Sequence, residues 1–521
     1  MGRDPLIIAK VRKRAGPAAA AVEREVKLVA PAGLRLPDLA GLMPGATAVA
    51  LPEARLDATY YDSGDLCLAR SGITLRHRDG APGPAWTVKL PEDGRGPGLT
   101  RREIRVDGPA DQVPGQAADL VLASTRARVL EPVARLATVR RPVEIRDRNG
   151  QLLAEVVDDT VSVSHGRRPA GRFREVEIEL HAPGRNGRRL LDAATSRLIG
   201  VGCTAEPPIP KLVRALGEPA TRPPEVVVTP LAADATVVEL VRHAMARSVA
   251  QILCYDPRVR LGDDAEDVHQ LRVAARRLRS DLRSFASLLD RDRLGTVRAE
   301  IGWLGGVVGE VRDTDVLAVR LTAHIATLPE VDAPGAGRLL RRLERQAGDA
   351  RAAMLRALRD ARYLHLLDTL VGLAAAPPLI EAPELTARSP TRIASKIARR
   401  PWRRLADAVG ALGPDPSNAE LHRVRILAKR CRYTAEAVAP IVGPAAGRFA
   451  AAVADLQTIL GDHQDTVVAE SWLRDAAAAT PTGCMAAGQL IALERSRRSE
   501  LRAQWPASWR TASSKKLRNW L

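Results

Sequence analysis

A chain of 521 residues is too long for one ordinary core, so about two to four domains are expected. A net charge of +18 and a pI near 10.4 suit polyanionic partners, while an aromatic content of 3% argues against reading RNA bases by stacking. The cysteines (Cys67, Cys203, Cys254, Cys431 and Cys484) are scattered and never in CxxC spacing, and no run of about 18 apolar residues exists, so thiol-bound zinc and a membrane span are both disfavoured and a reduced, cytoplasmic protein is expected.

Residues 20 to 215 read as strands. The segments "VEREVKLV" (22–29), "ITLRHR" (73–78), "AWTVKL" (85–90), "RREIRV" (101–106), "VEIRDR" (143–148), "LLAEVVDDTVSV" (152–163) and "REVEIEL" (174–180) alternate in polarity and are separated by Gly, Pro and Asp. Alternation puts Glu23, Glu25 and Lys27 on one face, against Val26 and Leu28 on the other. The same test groups Arg76 with Arg78, sets Lys89 against Val88 and Leu90, and groups Arg101 with Glu103 and Arg105. It also groups Arg140 with Glu144 and Arg146, Glu155 with Asp159, and Glu175 with Glu177 and Glu179. For any single strand, a solvated charged face is the simpler reading. Here carboxylates cluster on the first and last strands, and Arg or Lys dominates those between. Closing the sheet would put all of them in one polar lumen, with the apolar faces outside. Carboxylates suit Mg²⁺ or Mn²⁺, and Arg and Lys suit phosphate oxygens, so the expected ligand is a metal-bound phosphate chain.

"EREVKL" resembles the ExExK signature of the CYTH domain, in the triphosphate tunnel metalloenzyme superfamily. "ATYYDSGDLCLARSGITLRHR", "WTVKLP", "REVEIEL" and "PIPKLVRAL" resemble its later blocks, in order. The resemblance implies an eight-stranded antiparallel tunnel over residues 20–215 and a triphosphatase-type hydrolase acting on phosphoanhydride bonds with Mg²⁺ or Mn²⁺. It implies metal ligands at Glu23, Glu25, Asp159, Glu175, Glu177 and Glu179, with Glu23, Glu25 and Lys27 at the centre of catalysis. Phosphate ligands are implied at Lys27, Arg76, Arg78, Lys89, Arg101, Arg140 and Lys211. Alternation selects Arg101 over Arg102, Arg140 over Arg141 and Asp159 over Asp158.

A Pro-rich linker, residues 216–232, leads into Ala, Leu and Arg at helical spacing from 233 to 515. A second break at 374–390 separates halves of about 233–373 and 389–515. "HQLRVAARRLR" (269–279) recurs as "HRVRILAKRCR" (422–432), 153 residues later, and "GEVRDTDVLA" (309–318) is echoed by "GDHQDTVVAE" (461–470) at an offset of 152. That agreement indicates a duplication and two helical bundles related by pseudo-symmetry, so the whole chain is of the α+β class. His269, Arg272, Arg276, Arg279 and Arg283 fall on one stripe, as do His422, Arg425, Lys429 and Arg432, with Arg399 and Arg400 nearby in sequence. A solvated basic face is the simpler reading of one such helix, but its recurrence favours a groove for a linear polyanion. Asp313, Asp315, Asp462 and Asp465 are placed to orient the arginines. These His-led repeats resemble the CHAD domain, which implies binding of inorganic polyphosphate and association with its granules. The rival reading is a non-enzymatic polyphosphate-granule binder.

Overall fold

The computed structural model describes residues 20–79, 85–92, 99–166, 168–181, 184–206, 209–232, 234–380, 389–479 and 483–521. The chain divides into two units, Met1–Glu225 and Val226–Leu521. No helix among the described residues is long and apolar enough to cross a membrane.

The strands of the first unit are β1 (Ala20–Val29), β2 (Thr47–Ala50), β3 (Ala54–Asp62), β4 (Thr74–Asp79), β5 (Trp86–Pro91), β6 (Leu99–Val106), β7 (Glu131–Arg146), β8 (Leu152–His165), β9 (Arg168–Leu180) and β10 (Thr204–Ala205). Eight of them run β1-β6-β5-β4-β3-β7-β8-β9, and β9 pairs back onto β1, closing an antiparallel barrel. The short β2 and β10 extend β7 and β1 outside this ring. The segments read from the sequence leave out β3, "ARLDATYYD", whose burial alternates in the opposite sense, with Leu56, Ala58 and Tyr60 buried and Arg55 exposed.

The apolar faces of the strands point outward, as alternation predicts. Leu28, Ile145, Val156, Val176 and Ile178 form one core with Leu190, Leu191, Ala194 and Leu198. The last four share one face of helix α3 (Gly184–Ile199), below helices α1 (Cys67–Arg70) and α2 (Gly115–Thr125) in chain order. Each leucine so buried contributes about 1.5–3 kcal/mol. Inside the barrel, only part of the length is polar. The remainder is filled by Ala58, Leu136, Val161 and Val163, packed with Leu212 and Val213 of α4 (Lys211–Leu216) and Ala220 of α5 (Glu218–Thr221). Lys211 is thereby carried on a helix anchored in that apolar plug. The buried Asp62 fixes the β3–α1 turn by accepting from the backbone N–H groups of Ser63, Leu68 and Ala69 at 2.7, 2.9 and 2.9 Å. Beyond α5 the chain is held on the barrel: Arg70 donates to the Pro223 carbonyl at 2.7 Å, and Arg126 and Arg128 grip Glu225.

The second unit is helical: α6 (Val237–Leu261), α7 (Ala265–Ser284), α8 (Arg291–Ile325), α9 (Ala333–Ala357), α10 (Ala361–Ala375), α11 (Pro390–Gly410), α12 (Asn418–Val442), α13 (Pro444–Ala479), α14 (Cys484–Ala512) and α15 (Lys515–Arg518). The repeated segments fall on equivalent helices, α7 with α12 and α8 with α13. Capping boxes Thr236–Glu239 and Ser417–Glu420 start α6 and α12. The second half has its own core of Trp402, Leu405, Val424, Phe449 and Leu456, with Trp402 and Trp509 stacked at 5.4 Å. Another core spans the halves, joining Leu321 of α8, Leu339 of α9, Leu473 of α13 and Leu490 of α14.

Candidate functional site: a charged barrel lumen and a basic helical groove

Registry, not local sequence, decides which charges meet in the barrel. Lys27 on β1 stands opposite Glu177 on β9, and Arg140, Asp159 and Glu175 line up across β7, β8 and β9. The row Glu144, Glu155, Glu179, Glu25 crosses β7, β8, β9 and β1. A cavity of about 270 Å³ opens here, lined by eight Lys or Arg side chains and five glutamates.

Its inner end is a lattice of ion pairs. The Lys27 ammonium contacts Glu177, with Glu25 at 3.4 Å and Glu175 at 3.7 Å. Lys211 lies 2.7 Å from Asp159, 2.7 Å from Glu177 and 3.1 Å from Glu175. Arg140 grips Asp159 through two hydrogen bonds of 3.0 and 2.7 Å, and Arg101 reaches Glu25 at 2.7 Å. Farther round, Lys89 pairs with Glu103 at 2.8 Å, and Arg76 donates to the Tyr60 hydroxyl at 3.3 Å.

Electrostatics follow from this packing. Burial opposes the charged form of Lys211, but Glu177, Asp159 and Glu175 outweigh it and hold its pKa well above the ordinary lysine value. Burial likewise opposes ionised Glu177, yet Lys211, Lys27 and Arg140 keep it well below the usual carboxylate range. At Glu175 burial wins over Lys211 and Lys27, and the pKa rises. Arg76, together with burial, lowers the Arg78 guanidinium to about 10, a sign of cations crowded without enough counter-charge. Tyr60 falls to about 8: burial would raise it, but Arg76 and Arg78 favour the phenolate.

The residues fit a hard divalent cation. The buried carboxylates offer only oxygen donors, and Oε2 of the fully buried Glu175 accepts no hydrogen bond while its Oε1 faces Lys211 at 3.1 Å. Glu155, Glu179 and His181 form a further group whose ligand atoms all lie within 4.8 Å of one another.

The strands bring Glu25, Lys27, Arg76, Arg78, Lys89, Arg101, Arg140, Glu177 and Glu179 around one cavity by alternation, and helix α4 adds Lys211, the residue implied by the resemblance; Asp159 lines the smaller cavity beside it and Glu175 lies against Lys27 and Lys211. The neighbours that alternation rejects point elsewhere: Arg102 to Glu92, Arg141 to Glu53 and Asp158 to Arg174. Glu23 belongs to β1, opposite Arg101, but its side chain lies outside the described residues. Tyr60, Glu103, Glu155 and His181 also line the cavity and are absent from the sequence-derived set. Parity already puts Glu103 and Glu155 on the inward faces; nothing local marks Tyr60 or His181.

In the helical unit the two basic stripes meet. Arg276 of α7 donates to the Tyr433 hydroxyl of α12 at 2.8 Å, and the guanidiniums of Arg276, Arg277 and Arg432 surround that ring at 5.6, 5.6 and 5.1 Å. Tyr433 has no counterpart in the first copy, where Ser280 stands, so the repeat conceals it. Lys429 sits among the arginines. Burial, then Arg276, Arg425, Arg272 and Arg432, lower its pKa to about 7. His269 is lowered as well, by burial and then Arg312. Arg272 pairs with Asp313 at 2.6 Å, while Asp465 acts on Arg425. Glycines lie beneath these side chains, where a Cβ would be in ordinary van der Waals contact. A Cβ on Gly309 would stand 3.8 Å from the Arg272 guanidinium, and one on Gly461, its equivalent, 3.6 Å from that of Arg425. Arg279 lies similarly over Gly302, at 3.4 Å.

Arg399 does not join this groove; it donates to the Leu521 carbonyl at 2.7 Å, and Arg400 is exposed on the same helix. Their helix buries Ala394, Ala398, Trp402 and Leu405, and that apolar face fixes the direction of both arginines. His422 borders a separate cavity with Arg404, Arg423, Ile426 and Arg430.

Family models match twice: the CYTH domain over residues 21–193 and the CHAD domain over residues 243–474. The uncharacterized protein Rv2226 of Mycobacterium tuberculosis is 33% identical over 452 residues, covering 83% of this chain and 84% of that protein. Among solved structures, PptA from Streptomyces chartreusis matches 53% of this chain and 100% of its own at 25% identity and a TM-score of 0.45. The CHAD domain from the plant Ricinus communis matches 56% of this chain and 96% of its own at 26% identity, also with a TM-score of 0.45. With its closed barrel preceding a duplicated, arginine-striped helical unit, the chain belongs to the family in which a CYTH domain is followed by a CHAD domain.

Proposed function

We propose that the barrel binds triphosphate or polyphosphate with Mg²⁺ or Mn²⁺ and hydrolyses a phosphoanhydride bond, and that the helical unit binds inorganic polyphosphate. The observation that carries this reading is the lumen, where lysines and arginines from several strands converge beside buried carboxylates. Glu25, Asp159, Glu175, Glu177 and Glu179 would hold the metal, with Glu23 implied by the motif. When bound, a divalent cation there supplies charge for the phosphoryl oxygens and acidifies a water. Arg76, Arg78, Lys89 and Arg101 bind phosphate oxygens, Arg as a fork and Lys as a point charge. Lys27 and Lys211 sit where phosphate and carboxylate meet and neutralise both. Positioning and charge neutralisation account for most of the catalysis expected of phosphoryl transfer; one water is consumed and one P–O–P bond is broken.

The test is phosphate release from triphosphate, long-chain polyphosphate, ATP and thiamine triphosphate, each with Mg²⁺ and with Mn²⁺. Turnover with at least one, abolished by chelation and by Glu177→Gln, is expected. Polyphosphate binding without turnover on any substrate would overturn the catalytic part and leave a binding protein.

A further inference from the structure

The inner end of the lumen is neutralised from within. Lys211 contacts Asp159, Glu175 and Glu177 together, Lys27 contacts Glu177 with Glu25 and Glu175 close by, Arg140 holds Asp159, and Arg101 holds Glu25. These carboxylates are the inner candidates for holding a metal, and these cations are candidates for holding phosphate. Each set is thus the other's counter-ion in the free protein. A divalent cation arriving alone must displace ammonium groups already paired with the carboxylates it needs. A phosphate chain arriving alone must draw Lys27, Lys211, Arg101 and Arg140 off the carboxylates, leaving several buried negative charges uncompensated, which opposes binding. When both arrive together the partners exchange: phosphate takes the lysines and arginines, and the metal takes the carboxylates.

We infer that the ligand of this barrel is the metal–phosphate complex as a unit, so that metal and phosphate chain bind with positive coupling at the inner carboxylates. This rests on the phosphate-binding reading above and adds the form in which the substrate is taken. It also reverses the simplest electrostatic expectation. A merely basic cavity binds the metal-free chain more tightly, because that chain carries more negative charge. The barrel described here binds it more weakly.

The experiment uses the full chain carrying Arg272→Ala and Arg425→Ala, so that the helical groove contributes little. A non-hydrolysable imido analogue of triphosphate serves as probe, followed by calorimetry at constant ionic strength in EDTA and again with saturating Mn²⁺. The Mn²⁺ complex is expected to bind at least about tenfold more tightly, within the usual range of coupling between two ligands. A second readout isolates the counter-ion role: Lys211→Met frees Asp159, Glu175 and Glu177, and should let Mn²⁺ bind without phosphate, seen as loss of the free-ion EPR signal. Lys27→Met provides the same test should Lys211→Met fail to fold. Equal or tighter binding of the metal-free analogue, or no gain of Mn²⁺ binding in the folded lysine variant, overturns the inference while leaving phosphate binding intact. No binding of the analogue in either condition overturns the phosphate-site reading itself, and the inference with it.

Discussion

Under the proposed binding of polyphosphate to the helical unit, Lys429 makes the affinity depend on pH. It occupies the position equivalent to Arg276 in the duplicated half, so one copy carries a permanently charged guanidinium and the other an amine that can lose its proton. The charges acting on it are Arg276 and Arg272 from α7 and Arg425 and Arg432 from its own helix, while from α13 Asp465 acts on Arg425 with Asp462 beside it. In the free protein its pKa is about 7. A bound polyanion supplies the missing counter-charge and returns the amine toward its ordinary value, so binding takes up a proton. The sign follows: affinity is flat well below pH 7 and falls as pH rises, because the free groove increasingly lacks the proton that the complex holds. With full recovery in the complex, the loss between pH 7 and pH 8.5 is about fifteenfold, or about 1.6 kcal/mol. His269 does not contribute in this window, since its pKa lies below the ordinary histidine value. Fluorescence anisotropy with long-chain polyphosphate at constant ionic strength, from pH 6 to 9, measures the effect. Lys429→Arg should bind as tightly as the parent at pH 6 and remain flat to pH 9. A parent that binds with no pH dependence, or an arginine variant that retains the same decline, would refute the reasoning.

Arg272→Ala combined with Arg425→Ala should weaken polyphosphate binding far more than the exposed pair Arg338→Ala with Arg345→Ala, and more than either single change; the salt dependence of binding should also become shallower, since fewer counter-ions are released. Equal losses in the two double variants would mean that the stripes are only solvated faces. Asp62→Ala should destabilise the barrel by about 3 kcal/mol or more, because it strands three buried backbone donors, and a urea melt of the first unit's transition measures it. A melt within experimental error of the parent would show that water satisfies those donors.

Period-two alternation made the inward faces of most strands legible, down to choosing Arg101 over Arg102 and Asp159 over Asp158. It works because the barrel buries both faces: an error of one residue would place a charge in the α3 core or a valine among the charges of the lumen. The pairings were not legible. Lys27 meets Glu177 across 150 residues, and no local pattern encodes a register between the first and last strands. The apolar plug was hidden for a related reason, since Leu136 and Val161 look like outward-facing residues until α4 is seen to cover them from inside. In the helical unit the duplication exposed the stripes, whereas Arg399, grouped with them only by nearness in sequence, donates to the Leu521 carbonyl. Tyr433 escaped notice because it breaks the repeat.

The closure of β1 against both β6 and β9 has a consequence for how the molecule is made. Glu25 lies at the junction, paired through Leu99 on one side and Glu179 on the other. A ribosome releases β1 long before β9 exists, so the first strand must wait with an open edge until roughly residue 180 has emerged. Contacts of such long sequence separation make folding slow. Like charges on an exposed strand disfavour its pairing with the edges of other chains, so the same carboxylates that line the finished lumen would act earlier as a guard on an open edge. Glu25→Gln should then lower the soluble fraction of freshly synthesised protein relative to the parent, and an unchanged fraction would refute this.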